Sequence, residues 1–347
     1  MKKLTLLILN IIMFAIGNCG GPLISRLYFI HGGQRIWLSS WLQTVACPLI
    51  LIPLSMAYFQ RRKIDGPEAA KIFFITRREF IGAASVGIIA GLDGYLISWG
   101  PAKLSVSTSS LINATQLAFT ALFAVLLVKQ KLTAYSKSSV VLLITGAAML
   151  ALQGDGDRST GESVKEYMLG FVMTVMGAVC FGLMMPLIEL IYVKAKQVIT
   201  YTTVLEIQMI IGIFATAFCT VGMIINKDFQ TIPREASQYE IGEAKYYLVL
   251  VWCAILWQLA LLGLVGVIFY SSSLVYGIIG AFLLPVTEVL AVILFHEKFQ
   301  VEKGVAIFLA LCGFISYFYG EIEQSKKEKR GNFMDDHASF TVLHQSD

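Results

Sequence analysis

Long apolar runs separated by short polar segments make up nearly the whole chain. Ten runs occupy residues 4–27, 36–59, 80–99, 104–128, 138–152, 168–192, 203–225, 246–269, 274–295 and 304–319. A helix of about 20 apolar residues crosses the bilayer's hydrocarbon core, and the two shortest runs approach that length with their flanks. All 27 lysines and arginines lie between runs or at their edges. The pattern predicts an all-α membrane protein with ten transmembrane helices.

Composition and charge support this prediction and indicate an orientation. Hydrophobic residues make up 56% of the chain and charged residues 14%, which leaves little sequence for a soluble domain. With the amino terminus in the cytoplasm, 17 of the 27 basic residues fall on the cytoplasmic side, most densely at 61–63 and 77–78. The positive-inside rule therefore predicts that both termini are cytoplasmic. The basic residues are scattered over several loops, so the net charge of +4 does not indicate a nucleic-acid partner.

The sequence lacks the residue patterns of catalysis. We find no phosphate loop, nucleophile elbow or metal-ligand spacing, and the six cysteines fall inside apolar runs. An enzyme is therefore not expected, and neither a cofactor nor a metal is expected. A receptor or scaffold is less favoured than a transporter because no sizeable soluble domain is present.

A weak internal repeat divides the chain into halves. At a shift of 167, residues 124–127 align with 291–294, and at a shift of 164, residues 22–24 align with 186–188. Five-helix units that follow each other must insert with opposite orientations, which is the inverted-repeat plan of many secondary transporters. We expect two inverted five-helix repeats at 1–152 and 168–320, an extracellular linker at 153–167 and a cytoplasmic tail at 321–347.

Acidic residues inside the runs are candidates for function. Asp93 and Glu288 lie deep in the third and ninth runs, whereas Glu206 lies about one turn inside the seventh. Ionisable groups at membrane depth are costly, and a carboxylate without a basic partner suits reversible protonation. Hydrogen bonding that serves only helix packing is the alternative. We assign Asp93 and Glu206 to proton coupling and Glu288 to substrate binding.

Polar side chains form a stripe along the fourth run. Helical spacing places on one face Ser105, Ser109, Asn113, Gln116 and Thr120. The amides of Asn113 and Gln116 could hydrogen-bond the edge of a flat heterocycle, although bonding between helices is an equal alternative. Asn18 and Gln43, in the first two runs, are weaker candidates for the same substrate site.

Several of these segments resemble those of the plant purine permeases, a branch of the drug/metabolite transporter superfamily. The segments that carry the resemblance are Gly17-Asn18-Cys19-Gly20-Gly21-Pro22-Leu23, Gly91-Leu92-Asp93-Gly94-Tyr95-Leu96, Val106-Ser107-Thr108-Ser109-Ser110-Leu111, Ala114-Thr115-Gln116-Leu117-Ala118-Phe119, Ile232-Pro233-Arg234-Glu235-Ala236, Leu284-Pro285-Val286-Thr287-Glu288 and His296-Glu297-Lys298-Phe299. The resemblance extends from the first run to about Glu321.

The resemblance implies ten helices and proton-coupled import of purine nucleobases and derivatives such as adenine and cytokinins. Partners would be protons, a small heterocyclic substrate and the lipid bilayer, with the plasma membrane as the implied location. Import of plant alkaloids, pyridoxine-type vitamins or other N-heterocycles is the alternative. Gly94 and Pro101 depart from the family pattern, so substrate choice stays open, as does the oligomeric state.

Overall fold

The computed structural model describes residues 2–65, 73–105, 108–109, 112–113, 115–128, 164–194, 200–270 and 273–296, with isolated positions between 135 and 145 and between 304 and 323. Over these residues the chain is all-helical, as predicted. The predicted fifth and tenth runs, the linker 153–167 and the tail 321–347 lie largely outside the described residues.

Helices occupy most of the described chain. They are α1 (Lys2–Ile30), α2 (Ile36–Thr44), α3 (Leu51–Asp65), α4 (Arg77–Lys103), α5 (Gln116–Phe123), α6 (Val164–Lys194), α7 (Tyr201–Ile225), α8 (Asp228–Gln238), α9 (Glu243–Tyr270) and α10 (Ser273–Phe295). Within the described residues, six apolar segments are long enough to cross a membrane, with α2 and α3 together forming one of them. These six correspond to the predicted first, second, third, sixth, seventh and eighth runs.

Proline interrupts one predicted span and leaves three others continuous. The second run, predicted as one helix, separates into α2 and α3 around a single tight turn, Cys47–Ile50, with Pro48 near its start. Proline lacks an N–H and clashes with the preceding helical turn, which explains the break. By contrast, α1, α6 and α10 continue through Pro22, Pro186 and Pro285.

Glycines let α1 and α9 approach until their backbones touch. We call the side that carries Lys2 the inner side and the opposite side the outer side. A methyl group added at Gly17 would collide with the Ala260 backbone, and one added at Gly263 would collide with the Phe14 backbone. Small residues permit such close crossings within a membrane. The pair α1 and α9 is therefore packed without space for larger side chains at these crossing points.

α4 lies between α6 and α7. A Cβ at Gly87 would be 2.7 Å from the Ile211 carbonyl oxygen, and one at Gly91 would be 3.0 Å from that of Ala215, both in α7. On the α6 side, a Cβ at Gly177 would be 3.1 Å from the Ile97 nitrogen. Gly87, Gly91 and Gly177 thus allow α4 to pack tightly against both neighbouring helices.

Candidate functional site

A buried carboxylate lies in the interior at the α4–α6 contact. Asp93 is 7% exposed, and none of the described residues forms a hydrogen bond with its Oδ1 atom. Cys180 of α6 lies close enough to interact with it electrostatically. In the described part of the chain no basic side chain forms a salt bridge with Asp93. A buried polar atom without a partner is costly and rare in folded proteins, which makes Asp93 a candidate for binding or proton transfer.

The fourth span is irregular at Thr115. At Thr115 the chain makes a turn, in which the amides of Thr115 and Ala118 donate to carbonyls only three residues back. The Thr115 hydroxyl also donates to the Ile112 carbonyl at 2.6 Å. α5 begins at the next residue, Gln116, so its first N–H groups lie inside the membrane-spanning region. Interrupted helices of this kind form the substrate sites of many transporters.

Two contacts place Gln116 at the depth of Asp93. On α6, Cys180 lies close to Asp93. Phe119 packs against Gly182 of the same helix, which places Gln116 and Cys180 at levels about 2 Å apart.

Asn113, about one turn nearer the outer side than Gln116, adds a second buried polar group near this depth. Its Oδ1 atom is buried and has no hydrogen-bond partner in the described part of the chain. We call Asp93, Asn113 and Gln116 the central site. Its members are an acid and two amides at similar depth, two of which have polar atoms buried without partners.

Of the other predicted substrate residues, Asn18 shares this depth, whereas Glu288 does not. Arg26 of α1 donates to the Pro101 carbonyl at 2.8 Å, and Asn18 and Asp93 each lie eight residues further inward. Asn18 therefore lies level with Asp93, about 12 Å below the Arg26 contact. The backbone of Glu288 in α10 lies about 9 Å nearer the outer side, judged from the Cys19–Leu283 contact. The side chain of Glu288 lies outside the described residues.

Gln43 lies near the central site but on a different face of α4. Its amide donates to the Ser98 hydroxyl at 2.9 Å, and a Cβ at Gly94 would be 3.5 Å from its Oε1 atom. Gly94 and Asp93 are adjacent in sequence and so lie about 100° apart around the helix. Gly94, the departure from the family pattern, therefore leaves space for α2 and Gln43.

Glu206 lies away from the central site, close to the inner side. Its Oε2 atom accepts a hydrogen bond from the Phe74 amide at 2.9 Å, and Arg61 lies over the Phe74 ring at 4.5 Å. It is 1% exposed and about 20 Å further inward along α7 than Cys219, which contacts the α4 backbone near Asp93. The Glu206 carboxylate thus hydrogen-bonds the segment between α3 and α4 and holds it against α7, far from Asp93.

Sequence reasoning missed a network on the outer side. Glu235 of α8 accepts hydrogen bonds at one oxygen from Tyr28 at 2.5 Å and from Tyr246 at 3.0 Å. Arg35 lies 3.6 Å from its other oxygen and 3.5 Å from Asp228. We call these five residues the outer clasp. The Pro233-Arg234-Glu235 motif was visible in the sequence, but only the fold shows that it meets α1.

Burial shapes the electrostatics of the outer clasp. Burial raises the pKa of Asp228, and hydrogen bonds from Asn226 and the charge of Arg35 act in the opposite direction. Burial and the nearby charges of Glu235 and Glu240 raise the pKa of Tyr239 to about 12. Donor groups from α1, from Arg35 just before α2 and from α9 thus surround the acidic groups of the outer clasp.

Long apolar helices around a buried acid and two amides define a multi-pass membrane protein with a polar interior, the construction of a secondary transporter. Comparison with known proteins identifies the family. A family model for purine nucleobase transmembrane transport matches residues 5–327. Purine permease 3 of Arabidopsis thaliana is 49% identical over 326 residues, covering 94% of this chain and 93% of the relative.

Two further relatives agree. Purine permease 2 of the same plant is 48% identical over 339 residues, covering 94% of this chain and 95% of the relative. Probable purine permease 5 is 35% identical, covering 86% and 81%. The chain belongs to the purine permease family, and is therefore a membrane transporter and not an enzyme.

Proposed function

We propose that this protein is a proton-coupled importer of purine nucleobases and derivatives such as adenine and cytokinins, with substrate bound at the central site. The observation that carries the proposal is the common depth of Asp93, Asn113 and Gln116. The family supplies the substrate class, and the chemistry of these side chains suits that class.

Asn113 and Gln116 supply the recognition in this proposal. The edge of a purine ring alternates hydrogen-bond donors and acceptors, and a primary amide offers both. Among the described residues the buried Oδ1 atom of Asn113 has no hydrogen-bond partner, so a ring N–H can donate to it.

Asp93 supplies the proton coupling. A buried carboxylate without a cationic partner is much easier to hold neutral than charged, so loading a proton favours the closed, dehydrated state of the site. Releasing that proton to the cytoplasm would then couple the proton gradient to substrate import. Glu206, fastened to Phe74, is less suited to this role than the sequence suggested.

Uptake by purified protein in liposomes tests the proposal. Uptake of labelled adenine should be faster at external pH ~5 than at ~7.5 and should collapse with a protonophore, because the gradient drives it. Unchanged uptake under both treatments would remove proton coupling. Counterflow of labelled adenine, which needs no gradient, separates a transporter that has lost coupling from a protein that does not bind adenine.

Competition identifies the substrate class. Unlabelled adenine, trans-zeatin, pyridoxine and a benzylisoquinoline or pyridine alkaloid should be compared at equal concentration. We expect adenine and trans-zeatin to compete most strongly. Stronger competition by the alkaloid would favour the alternative, import of N-heterocycles, by the same site and mechanism.

A further inference from the structure

A groove lies between α4 and α6 at the inner side of the molecule. It has a volume of about 670 Å³. Its mouth carries three cationic side chains, Arg77, Arg78 and Lys194, and its floor is formed mainly by aliphatic residues such as Leu187 and Ile191. The groove thus combines a basic entrance with an apolar interior.

The groove opens toward lipid. Leu190 on its wall lies 18 residues, or five full turns, beyond Val172, so both share one face of α6. Val172 is 51% exposed, and Met176 near the same face is 48% exposed. On α4, Ile81 beside the groove is 55% exposed. Apolar side chains this exposed on membrane-spanning helices face acyl chains.

The cations at the mouth have no anionic partner in the described part of the protein. Neither the two arginines nor Lys194 forms a salt bridge with another described residue. Arg77 and Arg78 are the first residues of α4, where a positive charge opposes the helix dipole. The one acid of the groove, Glu79, caps the same helix by accepting from the Thr76 amide at 2.8 Å.

We propose that this groove binds one anionic glycerophospholipid of the inner leaflet. The phosphate lies among Arg77, Arg78 and Lys194, where arginine forks suit its oxygens, and one acyl chain runs along the aliphatic floor. A bound anion offsets the unfavourable charge at the start of α4. Basic pockets between membrane helices recognise lipid headgroups in this way.

Thermal stability of the purified full-length protein in neutral detergent tests the proposal. The additives are phosphatidylserine, phosphatidylcholine and inorganic phosphate. The groove variant is Arg78→Gln with Lys194→Gln, and its matched control is Arg62→Gln with Lys63→Gln, which removes two exposed charges on the same side outside the groove. A third variant, Leu190→Trp, fills the groove and keeps its charges.

We expect phosphatidylserine alone to raise the melting temperature of the wild type. Removal of two groove cations should raise the half-saturating lipid concentration about thirtyfold, since each cation near a lipid surface contributes about fivefold. The control should shift it less than about threefold, and Leu190→Trp should weaken the lipid effect. The proposal is overturned if both charge variants shift the half-saturating lipid concentration equally, or if phosphatidylserine does not raise the melting temperature of the wild type. It is also overturned if inorganic phosphate or phosphatidylcholine raises that temperature as much as phosphatidylserine does.

Discussion

Removal of the Glu235 carboxylate should loosen the outer side of the protein. Glu235→Ala deprives two buried phenols, Tyr28 and Tyr246, of their common acceptor. Tyr28 is 1% exposed and Tyr246 0%, so water does not readily replace the lost oxygen. Arg35 loses less, because its side chain is 32% exposed and it remains near Asp228.

The magnitude follows from these contacts. A hydrogen bond to a charged group contributes about 1.5–3 kcal/mol, and two are lost. Part of this loss is recovered because the Glu235 side chain is 9% exposed and truncation admits water. We therefore expect the free energy of unfolding to fall by about 2–4 kcal/mol.

Equilibrium unfolding in mixed detergent and SDS micelles measures this loss. The matched control is Glu240→Ala, a neighbouring acid whose side chain is 66% exposed and, among the described residues, pairs with His31 alone. It should change stability by less than about 1 kcal/mol. If Glu235→Ala costs no more than this control, the clasp does not stabilise the fold.

A combined variant tests whether the unpaired tyrosine hydroxyls cause the loss of stability. Adding Tyr28→Phe and Tyr246→Phe to Glu235→Ala removes the hydroxyls that were left unpaired. Because removal of both partners is far less costly than removal of one, the triple variant should regain part of the lost stability. A triple variant less stable than Glu235→Ala alone would refute this explanation.

Three further predictions concern the interior. Asp93→Asn should abolish the pH dependence of net uptake but preserve adenine counterflow; loss of both would assign Asp93 to substrate binding or folding. Gln116→Ala should weaken apparent affinity about five- to 150-fold without loss of folded protein, because one hydrogen bond to the base disappears; unchanged affinity would make Gln116 a packing residue. Gly87→Ala should lower the thermal stability by forcing α4 away from the Ile211 carbonyl, whereas Gly280→Ala, with open space around its Cβ, should not; equal effects would contradict the close packing.

The sequence predicted six of the membrane spans well. The membrane dictates a length and an apolar composition, and both can be read directly from a run such as 203–225. Relative depth needed the contacts between helices, which place Asn18 level with Asp93 and the backbone of Glu288 about 9 Å nearer the outer side.

Faces and irregular backbone were harder to predict, because they depend on neighbouring helices. The hydrogen bond from Gln43 to Ser98 depends on how α2 crosses α4, which the sequence alone does not show. No glycine or proline marks the turn at Thr115 in the sequence. The nearby hydroxyl and amide side chains can form hydrogen bonds with the backbone in place of the helical ones, but this signal is weak. α8 lies within a polar segment and contains Pro233, so a search for long apolar runs passed over it.

The close crossing of α1 and α9 restricts how the molecule can move. α1 comes from the first half of the sequence and α9 from the second, yet glycines bring their backbones into contact and Glu235 joins their outer ends. Sliding or parting these helices would break the interdigitated surface and the hydrogen bonds at once. We therefore expect α1 and α9 to move as one body, so that a rearrangement of the helices would not divide the molecule between the first and second halves of its sequence.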